Sequence, residues 1–231
     1  MATLTEYEGA SIEARIARSI PEADPDDPFV FLMGPYRLLD PSYLYPDDSH
    51  PLPYDPLAPR DGGAAPDAIE ATLRTICDRV SEATGVTAFI ATDVDIPTRR
   101  EAERENLAES GMAVIDQSVA FAKASVGSAF VFTKAGLTTG AGAEAGAIPE
   151  YFRLRAGKNR RRDPRTFCIF AEASQRKSGT GSVYEPRFSS ASIDEMDDAY
   201  DLRFRYFVDR GELAERLIDF VEAYVIPLVG R

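Results

Sequence analysis

Phe29-Val-Phe-Leu-Met33 carries no polar side chain at any position, and Gly34-Pro35 ends it. A strand with one face in water alternates polar and apolar residues. One that is apolar throughout is buried on both faces, as inside a parallel sheet covered by helices on either side. Residues 86–91, 128–132 and 166–171 come close to the pattern, with only Thr87, Ser128 and Thr166 polar. Between these runs lie helical periodicities. Ile69, Leu73, Ile76 or Cys77, and Val80 mark a helix over 67–84, stopped by Gly85. Met112, Ile115, Val119 and Ala122 mark a stripe within a charged stretch, 98–124, that breaks near Gly111. Ala145, Ile148, Phe152 and Arg155 mark a third helix, and Leu213, Leu217, Phe220, Val221 and Tyr224 a closing one. Residues 203–208 alternate and make a fifth, edge strand.

Strands alternating with helices require a parallel sheet wound right-handed. The expected fold is therefore α/β, a flavodoxin/Rossmann-like three-layer sandwich with a four- or five-stranded parallel sheet. Residues 1–27 are expected to form an N-terminal helix, with Ile12, Ile16 and Ile20 in register, and an acidic linker; 28–231 form a single domain. Two stretches escape this scheme. Residues 38–66 hold seven prolines together with Tyr43, Tyr45 and Tyr54, which suits either a substrate-covering segment or a plain surface loop. Residues 175–190 are polar, contain Gly179 and Gly181, and are expected to be a loop; 192–195 form a capping-box pattern that starts a short helix.

Charge narrows the partners. The net charge is −12, and only four of the 26 basic residues are lysines, Lys123, Lys134, Lys158 and Lys177. Such a balance resembles that of proteins from salt-loving archaea, where ionic strength screens self-repulsion. It argues against a nucleic-acid polymer as partner, because that needs a basic face. The one basic run, residues 158–162, follows a helix and complements its terminal carbonyls. No apolar run has the length of a membrane span, and the first residues lack the order of a signal peptide, so a cytoplasmic location is expected. Cys77 and Cys168 read as buried thiols, and the only histidine, His50, lies among prolines. A zinc site or a histidine-based triad is not expected, and the reading calls for no metal or cofactor.

The chemistry gathers at Gly140-Ala-Gly-Ala-Glu-Ala-Gly-Ala147, which follows the strand at 128–132. The pattern places Glu144 in the first turn of a helix at the carboxyl end of a strand, the edge where open α/β sheets bind ligands. There the helix N–H groups and dipole would keep the carboxylate ionised, as a covalent nucleophile requires. Two other readings stand beside this one. An acidic residue in a first turn can simply stabilise its helix. Gly140, Gly142 and Gly146 can also be read as a dinucleotide-binding turn, although that fingerprint belongs directly after a chain's first strand.

FLMGPY (31–36) and GAGAEAG (140–146), in this order, resemble the nucleoside 2-deoxyribosyltransferase-like family. In that family a first strand ends in a Gly-Pro-type turn, and the third leads to a glycine-rich turn holding the glutamate that attacks the anomeric carbon of the sugar. The resemblance implies Glu144 as nucleophile, with Tyr36 beside it and Gly34, Pro35 and Arg37 in the ligand-facing turn. Gly140 and Gly142 would admit the sugar. Asp93 and Asp116 are candidates for sugar or base contacts. The implied partner is a small nucleoside or nucleotide, and a homo-oligomer is compatible with the family. This chain departs from the family pattern in having Ala124-Ser125 before the third strand and Thr138 ahead of the motif, where family members carry acidic residues. The leaving base needs a proton, for which Asp93, Asp95, Asp116 or a tyrosine remain open. A non-catalytic module that binds a nucleotide or metabolite on the same fold is the alternative.

If the acidic surface is matched to salt, the thermal midpoint rises between low and molar salt; an unchanged midpoint refutes the halophilic reading.

Overall fold

The computed structural model describes residues 3–35, 68–133, 139–156, 166–178, 181–186, 200 and 202–229. It opens with a two-residue hairpin, β1 (Glu6–Tyr7) and β2 (Ala10–Ser11), which the sequence patterns did not indicate. Glu8 and Gly9 both take positive φ, 48° and 75°, the conformation that a two-residue reverse turn demands. Ser11 then caps α1 (Ile12–Ser19) through its side chain. Tyr7, Ile12 and Ile16 are fully buried in the same cluster as Phe29 and Phe31, so this leading segment packs into the main core.

The central strands are β3 (Phe29–Met33), β4 (Thr87–Phe89), β5 (Gly127–Phe132), β6 (Thr166–Ser178), β7 (Gly181–Pro186) and β8 (Arg203–Phe207). They form one mostly parallel, six-stranded sheet. Its parallel part runs β4-β3-β5-β6-β8, and β7 pairs antiparallel with the far half of β6. The adjacency of β3 and β5, with Phe31 opposite Ser128, agrees with the expected doubly wound order. Every residue of both strands is buried.

Strand alternation sorts these side chains into two cores. Phe29, Phe31, Met33, Phe130 and Phe132 face α1, α4 (Val114–Ala124) and α5 (Thr139–Ala156). Val30, Leu32, Ala129 and Val131 face α2 (Ala68–Thr84) and α6 (Arg210–Phe220). On the first side Phe31 stacks on Phe89 at 5.2 Å and meets Phe121 edge-on at 5.5 Å. Each such ring removed from water is worth about 1.5–3 kcal/mol. Ile69, Leu73, Cys77 and Val80 of α2 bury as its periodicity requires, and Gly85 ends it at φ +68°. Helix α6 is capped by Asp209 and continues through a π-helical turn (Val221–Val225) into the short α7 (Ile226–Val229).

Three elements differ from expectation. The charged stretch is two helices, α3 (Arg99–Glu105) and α4, and Ile115 of the expected apolar stripe is exposed. Between them Gly111 packs so closely that a Cβ there would stand 2.2 Å from the Thr98 carbonyl oxygen. Met112 N–H donates to the Pro97 carbonyl, and Arg99 N–H to the Met112 carbonyl, both at 2.9 Å, so the ends of this excursion are tied together. Helix α5 begins at Thr139, six residues earlier than the periodicity indicates. Its glycines each cost about 1 kcal/mol against alanine. The intervening alanines are the best helix formers, and Ala141, Ala145 and Ile148 bury on the sheet.

The expected polar loop at 175–190 begins as a hairpin, with β6 and β7 paired from Ser178↔Gly181 to Ala173↔Pro186. Its strands escape a hydrophobicity scan because Gln175, Arg176, Val183 and Glu185 are all exposed. The Tyr184 hydroxyl fastens it to α6 by donating to Glu212, while Arg216 donates to Tyr184 Oη and to Glu212 Oε1, each at 3.2 Å. Residues 38–66 and 192–195 lie outside the described residues.

Gly111→Ala should lower stability by about 1–3 kcal/mol through backbone overlap. Gly146→Ala, in open helical space, should raise it by roughly 0.5–1 kcal/mol. Urea midpoints of the two variants moving in the same direction would overturn this packing account.

Candidate functional site

The carboxyl edge of the parallel sheet is formed where β3 passes into Gly34-Pro35, β4 into a 3₁₀ turn (Ala91–Asp93), and β5 into Thr133. The N-termini of α4 and α5 return to this edge, because each helix runs opposite to the strand it covers. Glu144 is the sixth residue of α5, in its second turn. It therefore lies past the unpaired N–H groups of the helix end, and no acidic residue occupies the first turn. Glu144 is half-buried and faces α4, where the Ser118 hydroxyl donates to its Oε1 at 2.5 Å. Ser118 itself is 2% exposed. Oε2 bonds to none of the described residues.

The electrostatics reverse the expectation drawn from the helix dipole. Burial pushes the Glu144 carboxyl above its ordinary value, and the Ser118 hydrogen bond only partly offsets it. No described cation contributes. The backbone around Glu144 is bare. A Cβ at Gly140, one turn earlier on the same face, would have no neighbour within 4 Å. At Gly142 the nearest atom would be Phe132 Cε1 at 3.9 Å, and Gly146 is as open as Gly140. Among the described residues all three have negative φ. Neither the backbone nor the packing requires glycine at these positions.

The other expected site residues are placed differently. Gly34 and Pro35 are buried at the end of β3, and Gly34 is explained by packing: its Cβ would stand 3.3 Å from Leu73 Cδ1 and 3.4 Å from Val131 Cβ. Asp93 accepts from Arg74 Nε at 2.6 Å and from the Ile90 N–H at 3.0 Å, which locks the turn after β4 to α2. Asp116 is exposed in the first turn of α4, about 200° around the helix from Ser118. Asp95 lines a separate cavity of about 610 Å³ with Ile96, Glu101, Glu109 and Gln117, and Glu144 does not line it. Tyr36 and Arg37 lie outside the described residues. Among the described residues no cluster of histidine, cysteine, aspartate and glutamate could hold a metal ion. Nor is any described helix long and apolar enough to cross a membrane.

A family model described as a domain of unknown function (DUF7509) matches residues 13–226, almost the whole chain. The chain belongs to the DUF7509 family. A comparison with curated proteins finds no match. In this DUF7509 domain the match runs from α1 through the closing helix, so the leading helix and the edge that carries Glu144 lie within one family unit.

Three buried polar residues of the DUF7509 domain were missed in the sequence: Gln117, whose side-chain amide donates to the Ile96 carbonyl, Ser118 and Glu172. Ser118 precedes Val119-Ala-Phe-Ala122, and a lone hydroxyl entering an apolar helical face was its only signal. Glu172 continues the apolar run of β6 beyond Ala171 and is 1% exposed at the carboxyl edge, opposite Phe207.

The raised carboxyl has a consequence for stability. A group whose folded-state proton affinity is raised contributes stability that is present below the unfolded-state value and lost as pH rises through the folded one. Ionised Glu144 therefore detracts from stability at neutral pH. Glu144→Gln should melt a few degrees above wild type at pH 7, the gap closing below about pH 4. A constant difference across that range would contradict the assignment.

Proposed function

We propose that this domain cleaves or transfers the N-glycosidic bond of a nucleoside or nucleotide, with Glu144 as nucleophile, on a flavodoxin-like three-layer fold related to the nucleoside 2-deoxyribosyltransferases. The observation that carries the reading is a half-buried carboxylate on a side-chain-poor helical face at the carboxyl edge of a parallel sheet. One of its oxygens is held by Ser118, and the other bonds to none of the described residues.

In the proposed reaction Glu144 Oε2 attacks the anomeric carbon, the C–N bond breaks, and the base departs with the bonding electrons and takes up a proton. Water or a second base then displaces the carboxylate from the glycosyl-enzyme. The bare glycines at 140 and 142 let the sugar approach within bonding distance. Only the ionised carboxylate can attack, so the rate should rise with pH through the Glu144 titration, above the ordinary carboxylate range. The family resemblance would assign Tyr36 and Arg37, which lie outside the described residues, to ligand contact. A cytoplasmic protein acting on a small molecule, with a homo-oligomer compatible, fits this reading.

A second reading has its own support. Asp93 is taken up by Arg74, and Asp116 is exposed on another face, so neither accompanies Glu144. A module that binds a nucleotide or metabolite without chemistry needs no second carboxylate.

Wild type, Glu144→Ala and Glu144→Gln should be incubated in molar salt with a panel of nucleosides and nucleotides, and free base followed by chromatography. Wild type is expected to release base, and Glu144→Ala to lose at least about 10³-fold in rate. Glu144→Gln should bind without releasing base. Equal rates in wild type and Glu144→Ala would sink the nucleophile assignment. Binding by wild type with no release from any member would establish the second reading.

A further inference from the structure

Ser118 stands between two acceptors: its Oγ lies 2.5 Å from Glu144 Oε1 and 3.1 Å from the carbonyl oxygen of Val114, one turn earlier in α4. A hydroxyl has one proton to donate and two lone pairs to accept with. It cannot serve both oxygens at full strength, but it can bond Glu144 in either protonation state. When Glu144 is ionised, Ser118 donates to Oε1. When Oε1 carries a proton, it donates to Ser118 Oγ, and the hydroxyl rotates to donate to the Val114 carbonyl. Helix α4 already accepts this kind of bond: Ser125 Oγ donates to the Phe121 carbonyl at 2.8 Å.

We propose that Ser118 is the positioning residue of this site, holding Glu144 Oε1 so that Oε2 faces the ligand and switching to the Val114 carbonyl whenever Glu144 takes up a proton. The proposal deepens the reading of Glu144 as a reacting group and rests on it. A nucleophile that alternates between ionised, glycosylated and regenerated forms needs a partner that leaves none of them with an unsatisfied buried oxygen. A lysine or arginine there would favour the ionised form, because neither can accept a proton carried on Oε1.

The surroundings leave this role to Ser118. From β5 the residues on this face are Phe130 and Phe132, which carry no charge. From α4, Asp116 is exposed on another face, and Lys123 lies five residues further along the helix. On α5 itself Glu150 is paired with Arg153. Among the described residues, only burial and the Ser118 bond displace the Glu144 carboxyl from its ordinary value, and they act in opposite directions.

The test measures the Glu144 carboxyl directly, by carbon-13 NMR of protein labelled at the glutamate side-chain carboxyl, with Glu144→Gln supplying the assignment. Wild type, Ser118→Ala and Ser118→Thr are titrated in molar salt, and thermal melts confirm that each is folded. Ser118→Ala should titrate at higher pH than wild type, while Ser118→Thr, which keeps the hydroxyl, should stay near wild type. Identical titrations in wild type and Ser118→Ala would overturn the proposal. This outcome is independent of whether any substrate of the panel is cleaved, so it separates the failure of the Ser118 role from the failure of the glycosidic reading. Where base release is observed, Ser118→Ala should lose about tenfold on the acid side of the pH profile at nearly unchanged KM. A loss that is uniform across pH would assign Ser118 to packing alone and also overturn the proposal.

Discussion

Everything in this molecule is hung on two strands that water does not reach. β3 and β5 are buried on both faces, and their alternating side chains supply two separate apolar cores from one backbone. A sheet in that position has to be covered twice, and parallel pairing forces each connection to cross over as a helix. The result is a carboxyl edge where strand ends and helix N-termini meet. The polar groups placed there are the ones the cores do not absorb.

Glu144 occupies that edge on unusual terms. A carboxylate is ordinarily kept charged by a cation or by helix-end amides, and among the described residues it has neither. Its charge is set by the competition between partial burial and a single hydroxyl. Such a group has a raised proton affinity, which is useful to a reacting residue and a disadvantage to a purely structural one. The open glycines beside it point the same way. They weaken α5 without relieving any contact, so the fold alone gives no reason for them.

The legible part of the fold was the part governed by burial. The adjacency of β3 and β5, the extent of α2, the break near Gly111 and the edge position of β8 all follow from apolar spacing or a glycine constraint. The illegible part was governed by tertiary context. The alternation of alanine and glycine before Glu144 carries a turn signal and a helix signal at once. Burial of Ala141, Ala145 and Ile148 decided for the helix and moved Glu144 into its second turn. The β6–β7 hairpin lacks an apolar stripe and owes its place to main-chain pairing and to Tyr184, whose anchors Glu212 and Arg216 come from α6. Within the site, Glu144 was evident as a charge in a glycine run. Ser118 was hidden, because nothing local says that a serine on one helix meets a glutamate 26 positions later.

The tie between Pro97 and Met112 also bears on how the chain tolerates change in length. Thr98 and Met112 form a parallel bridge, and main-chain bonds close residues 98–112 into a loop whose ends coincide. The strands therefore do not register how many residues lie inside it. Insertions or deletions around α3 would alter this excursion while leaving β4, α4 and the Glu144 edge in place. The excursion is one place where the architecture can grow or shrink without moving the sheet.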